Sequence, residues 1–405
     1  MTAFLNALAL NAGYNAALVG IGAAMLGFAA GAAGTFLFLR KRALVSDAVA
    51  HATLPGVGLA FILMVSLGGD GRSLIGLLLG SAVTAGIGLV LVEWMARRTR
   101  LSEDAAIGAV LSVFFGFGIV LLTVIQTMNA GRQAGLESFL LGSTAGMLFQ
   151  DAIVIALGGA LAVYATWLLR RPMTLVAFDP EYAAAVGYNV RRIDLAMMAL
   201  VMAVTVIGLK LVGLILIVAM LIIPPVTARF WTESSTHVIW YAGLIGAVSG
   251  DVGAALSAAA PAMPTGPSIV LVAAGLFLLS LFVAPARGVT AAVIRHRRFQ
   301  RRVHRRQGLL ALSRSEPIHD DLTLRTLRGE GLIRPDGVAT ETGRALAAKT
   351  ARDEHRWDIA REIHQDAGLT GRYDGRSPIE QVFAPDEIAE FDRRIGGPRP
   401  VDRAV

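Results

Sequence analysis

Long apolar runs separated by short polar loops fill the first 286 positions of the chain. The runs lie at 15–39, 47–67, 74–96, 104–126, 150–169, 193–209, 211–230, 237–258 and 268–285. Most of them approach the roughly 20 residues that an α-helix needs to cross the hydrocarbon core of a bilayer. The pattern therefore predicts an all-α polytopic membrane protein with about nine transmembrane helices.

Two stretches leave the number of crossings open. Residues 193–230 form one continuous apolar run, which could be one long helix, two helices, or a helix followed by a broken half-helix. Residues 136–149 are apolar but too short to count as a span. Eight crossings is therefore the alternative to nine.

The composition agrees with a membrane protein and narrows its chemistry. Hydrophobic residues make up 55% of the chain, and the mean hydropathy is +0.60. The absence of cysteine excludes a disulfide framework and a thiolate metal site. No GxxxxGK[ST] sequence occurs, so the chain is not expected to bind ATP phosphates or to be an enzyme.

Basic clusters mark one end of the predicted helices. They are Arg40-Lys41-Arg42, Arg97-Arg98-Thr99-Arg100, Arg170-Arg171 and Arg191-Arg192. Short loops rich in lysine and arginine face the cytoplasm, so these ends are predicted to be cytoplasmic. With nine crossings the N-terminus lies outside and the long C-terminal tail lies inside.

The density of charged residues rises sharply near residue 287. Residues 287–405 contain 23 Lys and Arg and 18 Asp and Glu, against 14 and 12 in the much longer segment before them. We therefore divide the chain into a transmembrane domain at 1–286, a basic juxtamembrane linker helix at 287–307 and a small cytoplasmic domain at 308–405. The linker is expected to contact anionic membrane lipid.

The stretch between the first two apolar runs carries candidate metal ligands. Asp47, His51 and Pro55 are each four residues apart, so on a helix they share one face. Because Pro55 has no N–H, the carbonyl of His51 loses its helical partner. A carboxylate, an imidazole and a free carbonyl at the edge of a membrane span favour passage of a divalent cation. The alternative is structural, with Asp47 capping the helix and His51 hydrogen-bonded in the core.

A short polar segment, FDPEYAAAVGYN, lies between two of the basic pairs. Asp179 suits the N-cap of a helix, Pro180 suits its first turn and Gly187 suits the position after its end. The segment therefore predicts a short helix in a cytoplasmic loop, either a simple connection or a docking element for a separate motor protein.

Four motifs in this order resemble one known family. They are VSDAVAHATLPGVGLAF, FDPEYAAAVGYN, VGLILIVAMLIIPPVTARFW and MPTGPSIVLV. Together they resemble the membrane subunit of bacterial ABC importers for manganese, zinc and iron, over about residues 15–290. The resemblance implies that Asp47 and His51 coordinate the metal inside the permease. It also implies that Asp179, Pro180, Glu181 and Gly187 belong to the coupling region that meets the ATPase.

The resemblance implies a set of partners as well. They are an ABC ATPase subunit, an extracytoplasmic metal-binding protein and a second permease subunit, either identical or paralogous. The expected function is import of Mn²⁺, with Zn²⁺ or Fe²⁺ as alternatives, through the bacterial inner membrane. The metal is cargo, and no permanently bound cofactor is expected.

The tail shows a helix, a turn between two short extended pieces and a second helix, which is a winged-helix pattern. It resembles the winged-helix extension of some manganese-type permeases, which is itself similar to metal-dependent repressors. Its positive charge lies largely in the linker helix, so nucleic acid is not an expected partner.

Two other functions stay open at this point. An ion-gradient-driven secondary metal transporter would need more intramembrane acids than Asp47 and Asp251. A membrane-anchored regulator would use the winged helix to bind DNA.

Overall fold

The computed structural model describes residues 2–69, 71, 73–128, 147–260, 263–363 and 379–395. The chain forms two compact units, Met1–Ala291 and Ala292–Val405. The stretch 136–149, whose role the sequence left undecided, lies mostly outside the described residues.

Eleven helices are described within the first unit. They are α1 (Thr2–Leu8), α2 (Tyr14–Leu39), α3 (Leu44–Ser66), α4 (Leu74–Arg98), α5 (Glu103–Thr127), α6 (Phe149–Phe178), α7 (Pro180–Ala185), α8 (Val190–Val212), α9 (Leu214–Trp231), α10 (Ser235–Ala259) and α11 (Thr265–Val283). Eight of these, α2 to α6, α8, α10 and α11, are long and apolar enough to cross a membrane. The prediction of an all-α, multi-pass membrane protein is therefore confirmed for the described part of the chain.

Several of these helices begin or end at one end of the unit, which we call the basic end. It contains Arg40 and Arg42, whose ion pairs join the α2–α3 turn to Asp194 of α8 and Glu103 of α5. The end of α2, the end of α6 and the start of α10 also meet there, because Phe36, Val176 and Ile239 belong to one apolar cluster.

The short helix α9 returns the chain to the basic end. The N–H of Arg287, just after α11, donates to the carbonyl of Phe230 in the last turn of α9 at 3.2 Å. Since α8 and α10 both start at the basic end, α9 must bring the chain back between them. Its apolar part, Leu216–Trp231, is shorter than the eight long spans.

A close helix contact in this unit joins α2 and α10 through small residues. Gly27 faces the backbone of Gly246, and Gly31 faces the backbone of Ala242, so a Cβ added at either glycine would collide with main-chain atoms. Small residues allow such close approach in lipid, where dispersion contacts replace the hydrophobic effect as the force between helices.

A second close contact covers the point in α9 where a backbone hydrogen bond is missing. Pro224 and Pro225 lie inside α9, and Pro225 cannot donate to the carbonyl of Leu221. That carbonyl points at Gly34 of α2, where any side chain would block its approach. The unpaired backbone group therefore faces protein, as backbone irregularity within a membrane requires.

The second unit is described as four α-helices and a tight turn. The helices are α12 (Val289–Ser313, which begins at the end of the first unit), α13 (Asp321–Gly329), α14 (Glu341–Ile363) and α15 (Pro385–Ile395). Between α13 and α14 the chain reverses at Gly337, with φ of +86°, and an isolated antiparallel bridge pairs Ile333 with Ala339. The described residues contain no longer strand, so the winged-helix assignment stays a prediction.

An aromatic cluster holds α14, α15 and the segment before α15 together. Trp357 is 1% exposed, its ring centroid lies 5.6 Å from that of Phe383, and Phe383 lies 5.2 Å from Phe391. Beside the cluster, Arg356 donates to both carboxylate oxygens of Asp392 at 2.7 and 2.5 Å. These hydrogen bonds hold the pKa of Asp392 below its usual range.

Trp357→Ala is expected to destabilise the second unit by about 3 to 5 kcal/mol, because it removes the largest fully buried side chain and leaves a cavity. Limited proteolysis of the detergent-solubilised chain should then cleave within residues 292–395 while the first unit stays intact. Leu322→Ala, at a 55% exposed position of α13, is the control and should change little. An unchanged cleavage pattern for Trp357→Ala would contradict the assignment of this core.

Candidate metal site and coupling region

Helix α3 carries the candidate metal ligands and is packed tightly on most of its circumference. Its buried residues Val45, Ala48 and Val49 contact an apolar cluster that includes residues of α4, α5 and α8. Around Pro55 the packing is closer still, because Gly80 of α4 faces the backbone of Gly56, and Gly118 of α5 faces Leu54 and Pro55. The backbone that carries the ligands is therefore held by protein on both sides of the proline.

Asp47 and His51 lie together on a partly open face of α3. Their side chains are 38% and 19% exposed, whereas most of their neighbours on α3 are fully buried. Both belong to the first third of the helix, within about 11 Å of its start at the basic end, given a rise of 1.5 Å per residue.

The distance between the two side chains suits a shared cation. His51 Nε2 and Asp47 Oδ1 are 3.4 Å apart, longer than the usual N–H···O hydrogen bond. Two ligand bonds of about 2.1 Å meeting at roughly 90° to 110° place the ligating atoms about 3.0 to 3.4 Å apart. One divalent cation can therefore bridge the pair with little rearrangement.

The described contacts match the structural alternative only in part, because His51 Nε2 contacts Asp47 but Asp47 does not cap the helix. The N-cap of α3 is Ala43, and no side chain caps that helix end, so Asp47 is not the cap. Nδ1 of His51 is buried without a hydrogen-bond partner among the described residues. The imidazole is instead oriented by edge-to-face packing on Phe115 of α5, at 5.1 Å between centroids.

The site offers few ligands. The described part of the chain contains no group of three or more His, Cys, Asp or Glu side chains that could hold a metal ion. Asp251, the other acid within an apolar run, lies on α10 beside Gly20 of α2 and is not brought to the pair. Two side chains and the freed His51 carbonyl would leave several coordination positions of a bound cation open.

The predicted coupling residues form a short, capped helix at the basic end. Asp179 is the N-cap of α7 and accepts a hydrogen bond from the N–H of Tyr182 at 2.9 Å, and Pro180 is the first helical residue. Gly187 follows the helix with φ of +97°, a conformation that glycine adopts without strain. Glu181 is exposed in the first turn, so it is free to contact another protein.

Sequence reasoning missed one set of residues at this end. Asp194 is 3% exposed and lies in a network with Arg40, Arg42 and Glu103. From the sequence alone, these arginines indicate only the orientation of the helices in the membrane. An acid at the very start of an apolar run, with basic clusters in the neighbouring loops, is the sequence feature that could have indicated the network.

Comparison with known proteins relates the first unit to metal transport. The sequence pattern of the ABC 3 transport family matches residues 14–284. The manganese transport system membrane protein MntC of Bacillus subtilis (strain 168) is 44% identical over 291 residues, which cover 72% of this chain and 66% of that protein. The zinc transport system membrane protein TroC of Treponema pallidum (strain Nichols) is 37% identical over 278 residues, covering 69% of this chain and 92% of that protein.

A solved structure shares the fold. PsaBC from Streptococcus pneumoniae, determined in complex with a Fab, contains a chain that superposes with a TM-score of 0.61 at 31% identity. The match covers 71% of this chain and 98% of that one.

Proposed function

Because this chain belongs to the ABC 3 transport family, we propose that it is the membrane permease subunit of an ABC importer and that it conducts Mn²⁺. The observation that carries the proposal is the Asp47–His51 pair, whose ligating atoms are 3.4 Å apart, with Nδ1 of His51 lacking a hydrogen-bond partner among the described residues. A carboxylate suits Mn²⁺, and an imidazole also admits Zn²⁺ and Fe²⁺.

Manganese is the preferred cargo for two reasons. The relative with 44% identity is named for manganese, and the zinc relative is less similar at 37%. The pair also lacks thiolate and offers only one imidazole, whereas structural zinc sites use four nitrogen or sulfur ligands. For Fe²⁺ as cargo, the only support is the chemistry of the two ligands.

The basic end is the cytoplasmic end in this proposal. The positive-inside rule favours it, and it places α7 where a cytoplasmic ATPase subunit can dock. The chain leaves α11 at the same end, so the second unit is cytoplasmic as well. An extracytoplasmic metal-binding protein then delivers the ion at the opposite end.

A second permease subunit, identical or paralogous, completes the site. Asp47, His51 and Phe115 all lie on partly open surface of one protomer. A partner helix laid over this face would exclude lipid from the ligands and supply further oxygen atoms. Charged groups facing a bundle interior are the usual arrangement within membranes.

The second unit is proposed to be a winged-helix-like regulatory domain joined by a lipid-binding helix. Helix α13 is followed by the bridged turn at residues 333–339 and then by helix α14. Arg297, Arg298, Arg301 and Arg302 are exposed on α12, and each such charge near an anionic leaflet contributes about 1 kcal/mol.

Reconstitution into liposomes tests the proposed function. The permease is combined with an ABC ATPase subunit and an extracytoplasmic metal-binding protein, and ⁵⁴Mn²⁺ uptake is measured with ATP, with a proton gradient and with neither. We expect uptake only with ATP. Excess unlabelled Zn²⁺ should inhibit ⁵⁴Mn²⁺ uptake less strongly than excess unlabelled Mn²⁺ does. An ATPase whose P-loop lysine is replaced is the control. Uptake driven by the gradient without any ATPase would contradict the proposal.

A further inference from the structure

A partly buried ion-pair network joins four helix ends at the basic end. Arg40, at the end of α2, donates from Nε and Nη2 to the two oxygens of Asp194 at 3.2 Å each. Arg42, at the start of α3, reaches Asp194 at 3.6 Å and Glu103 of α5 at 2.9 Å. The side chain of Asp194 is only 4% exposed, and its carboxylate contacts both arginines.

Arg40 also donates a hydrogen bond to α6, the helix that precedes α7. Its Nη1 donates to the carbonyl of Val176, in the last turn of α6, at 3.1 Å. In a continuing helix that carbonyl would accept from residue 180, but Pro180 has no N–H. Arg40 therefore replaces the bond that Pro180 cannot make. It binds the end of α6 and the start of α8, the two helices that flank α7.

Arg42 connects this network to α3, the helix that carries Asp47 and His51. The α2–α3 turn is closed by hydrogen bonds from Arg42 N–H to Leu37 at 2.9 Å and from Val45 N–H to Arg42 at 3.0 Å. Lys41 holds the left-handed conformation, φ +60°, that this helix end requires. Only four residues separate Arg42 from Asp47, and all but the first lie within α3. A shift of Arg42 is therefore passed to the metal ligands by a short, hydrogen-bonded segment.

The two arginines differ in how they hold Asp194. Arg40 makes two hydrogen bonds to the carboxylate, whereas Arg42 lies at 3.6 Å and shares its charge with Glu103. If Arg42 releases Asp194, the buried carboxylate keeps a partner in Arg40. Arg42 can therefore change partner without leaving a buried charge unpaired, which would be the costly event.

We propose that Arg42, held between Asp194 and Glu103, is a positioning residue that transmits movement of α7 to Asp47 and His51. The inference rests on the proposed function, in which α7 meets the ATPase and the pair binds the cargo. A movement of α7 displaces the ends of α6 and α8, Arg40 and Asp194 move with them, and Arg42 either follows Asp194 or stays with Glu103. That choice sets the position of the first turn of α3.

The test measures coupling rather than activity alone. Arg42→Gln is purified in complex with the ATPase, and ATP hydrolysis and ⁵⁴Mn²⁺ uptake are measured in the same liposomes. We expect hydrolysis within about twofold of wild type and Mn²⁺ imported per ATP at least tenfold lower. Arg100→Gln, the same change at an exposed arginine of this end, should leave the ratio unchanged.

Glu103→Gln removes the other partner of Arg42 at a side chain that is 32% exposed. It should lower the same ratio, and the Arg42→Gln, Glu103→Gln double variant should be no worse than Arg42→Gln alone. If Arg42→Gln does not fold, Glu103→Gln carries the test. Variants that lose hydrolysis and uptake in equal proportion, or that keep the wild-type ratio, would overturn the inference. Failure of wild-type uptake would instead overturn the proposed function and this inference with it.

Discussion

Asp47→Ala combined with His51→Ala is expected to reduce Mn²⁺ uptake per folded complex by at least about 100-fold. Loss of a residue that merely orients a ligand costs about 10- to 100-fold in metal affinity, and this variant removes both ligating side chains. Folding should survive, because neither side chain caps a helix or donates a structural hydrogen bond among the described residues. The measurement is ⁵⁴Mn²⁺ uptake in liposomes, normalised to complex recovered by size-exclusion chromatography.

A matched control separates ligand loss from general damage. Asp104→Ala with His237→Ala removes the same two residue types from exposed positions near the basic end. That variant should transport at the wild-type rate. Asp47→Asn keeps the size of the side chain and removes its charge, so it should still lose most of the uptake. A well-folded Asp47, His51 double variant with normal uptake would remove the site from the pathway.

Much of the fold could be predicted from the sequence, because the length of an apolar run strongly indicates a membrane-spanning helix. The spans at 47–67, 74–96 and 104–126 agree closely with α3, α4 and α5. The run 193–230 could not be divided with certainty, since its break at Gly213 depends on one residue with φ of +77° and not on any polar segment. Its second part, α9, is shorter than the eight long spans, and the carbonyl of Leu221 that Pro225 leaves unpaired faces Gly34.

The candidate site could be predicted only in part. Spacing alone places Asp47, His51 and Pro55 on one face, and the local cap at Asp179 follows from residue preference. The partners within the network of Arg40, Arg42 and Asp194 could not be assigned from the sequence, because Asp194 lies more than 150 positions from both arginines and meets them through the packing of α2 against α8. The unpaired Nδ1 of His51 is likewise a property of the packed bundle.

Gly187→Leu is expected to uncouple ATP hydrolysis from transport. Gly187 is left-handed, its N–H donates to the carbonyl of Ala184, and the N–H of Tyr188 donates to Ala183 at 3.0 Å, so together they end α7. A leucine there costs about 1 to 2 kcal/mol of backbone strain. The strain is conformational, since nothing lies within 4 Å of an added Cβ. A six-residue helix has no other turn to absorb it, so α7 should lose its docking geometry.

Gly187→Asn distinguishes backbone conformation from side-chain bulk, because asparagine tolerates the left-handed region. We expect Gly187→Leu to lower Mn²⁺ imported per ATP at least tenfold, whereas Gly187→Asn should stay within about threefold of wild type. Glu181→Arg should act on the same ratio by a different route, since it places a positive charge at the helix N-terminus and reverses the charge offered to the ATPase. If all three variants import at the wild-type ratio, α7 is only a connection between α6 and α8. Selective loss in Gly187→Leu and Glu181→Arg would place the ATPase contact on α7, because neither residue belongs to the packed interior of the bundle.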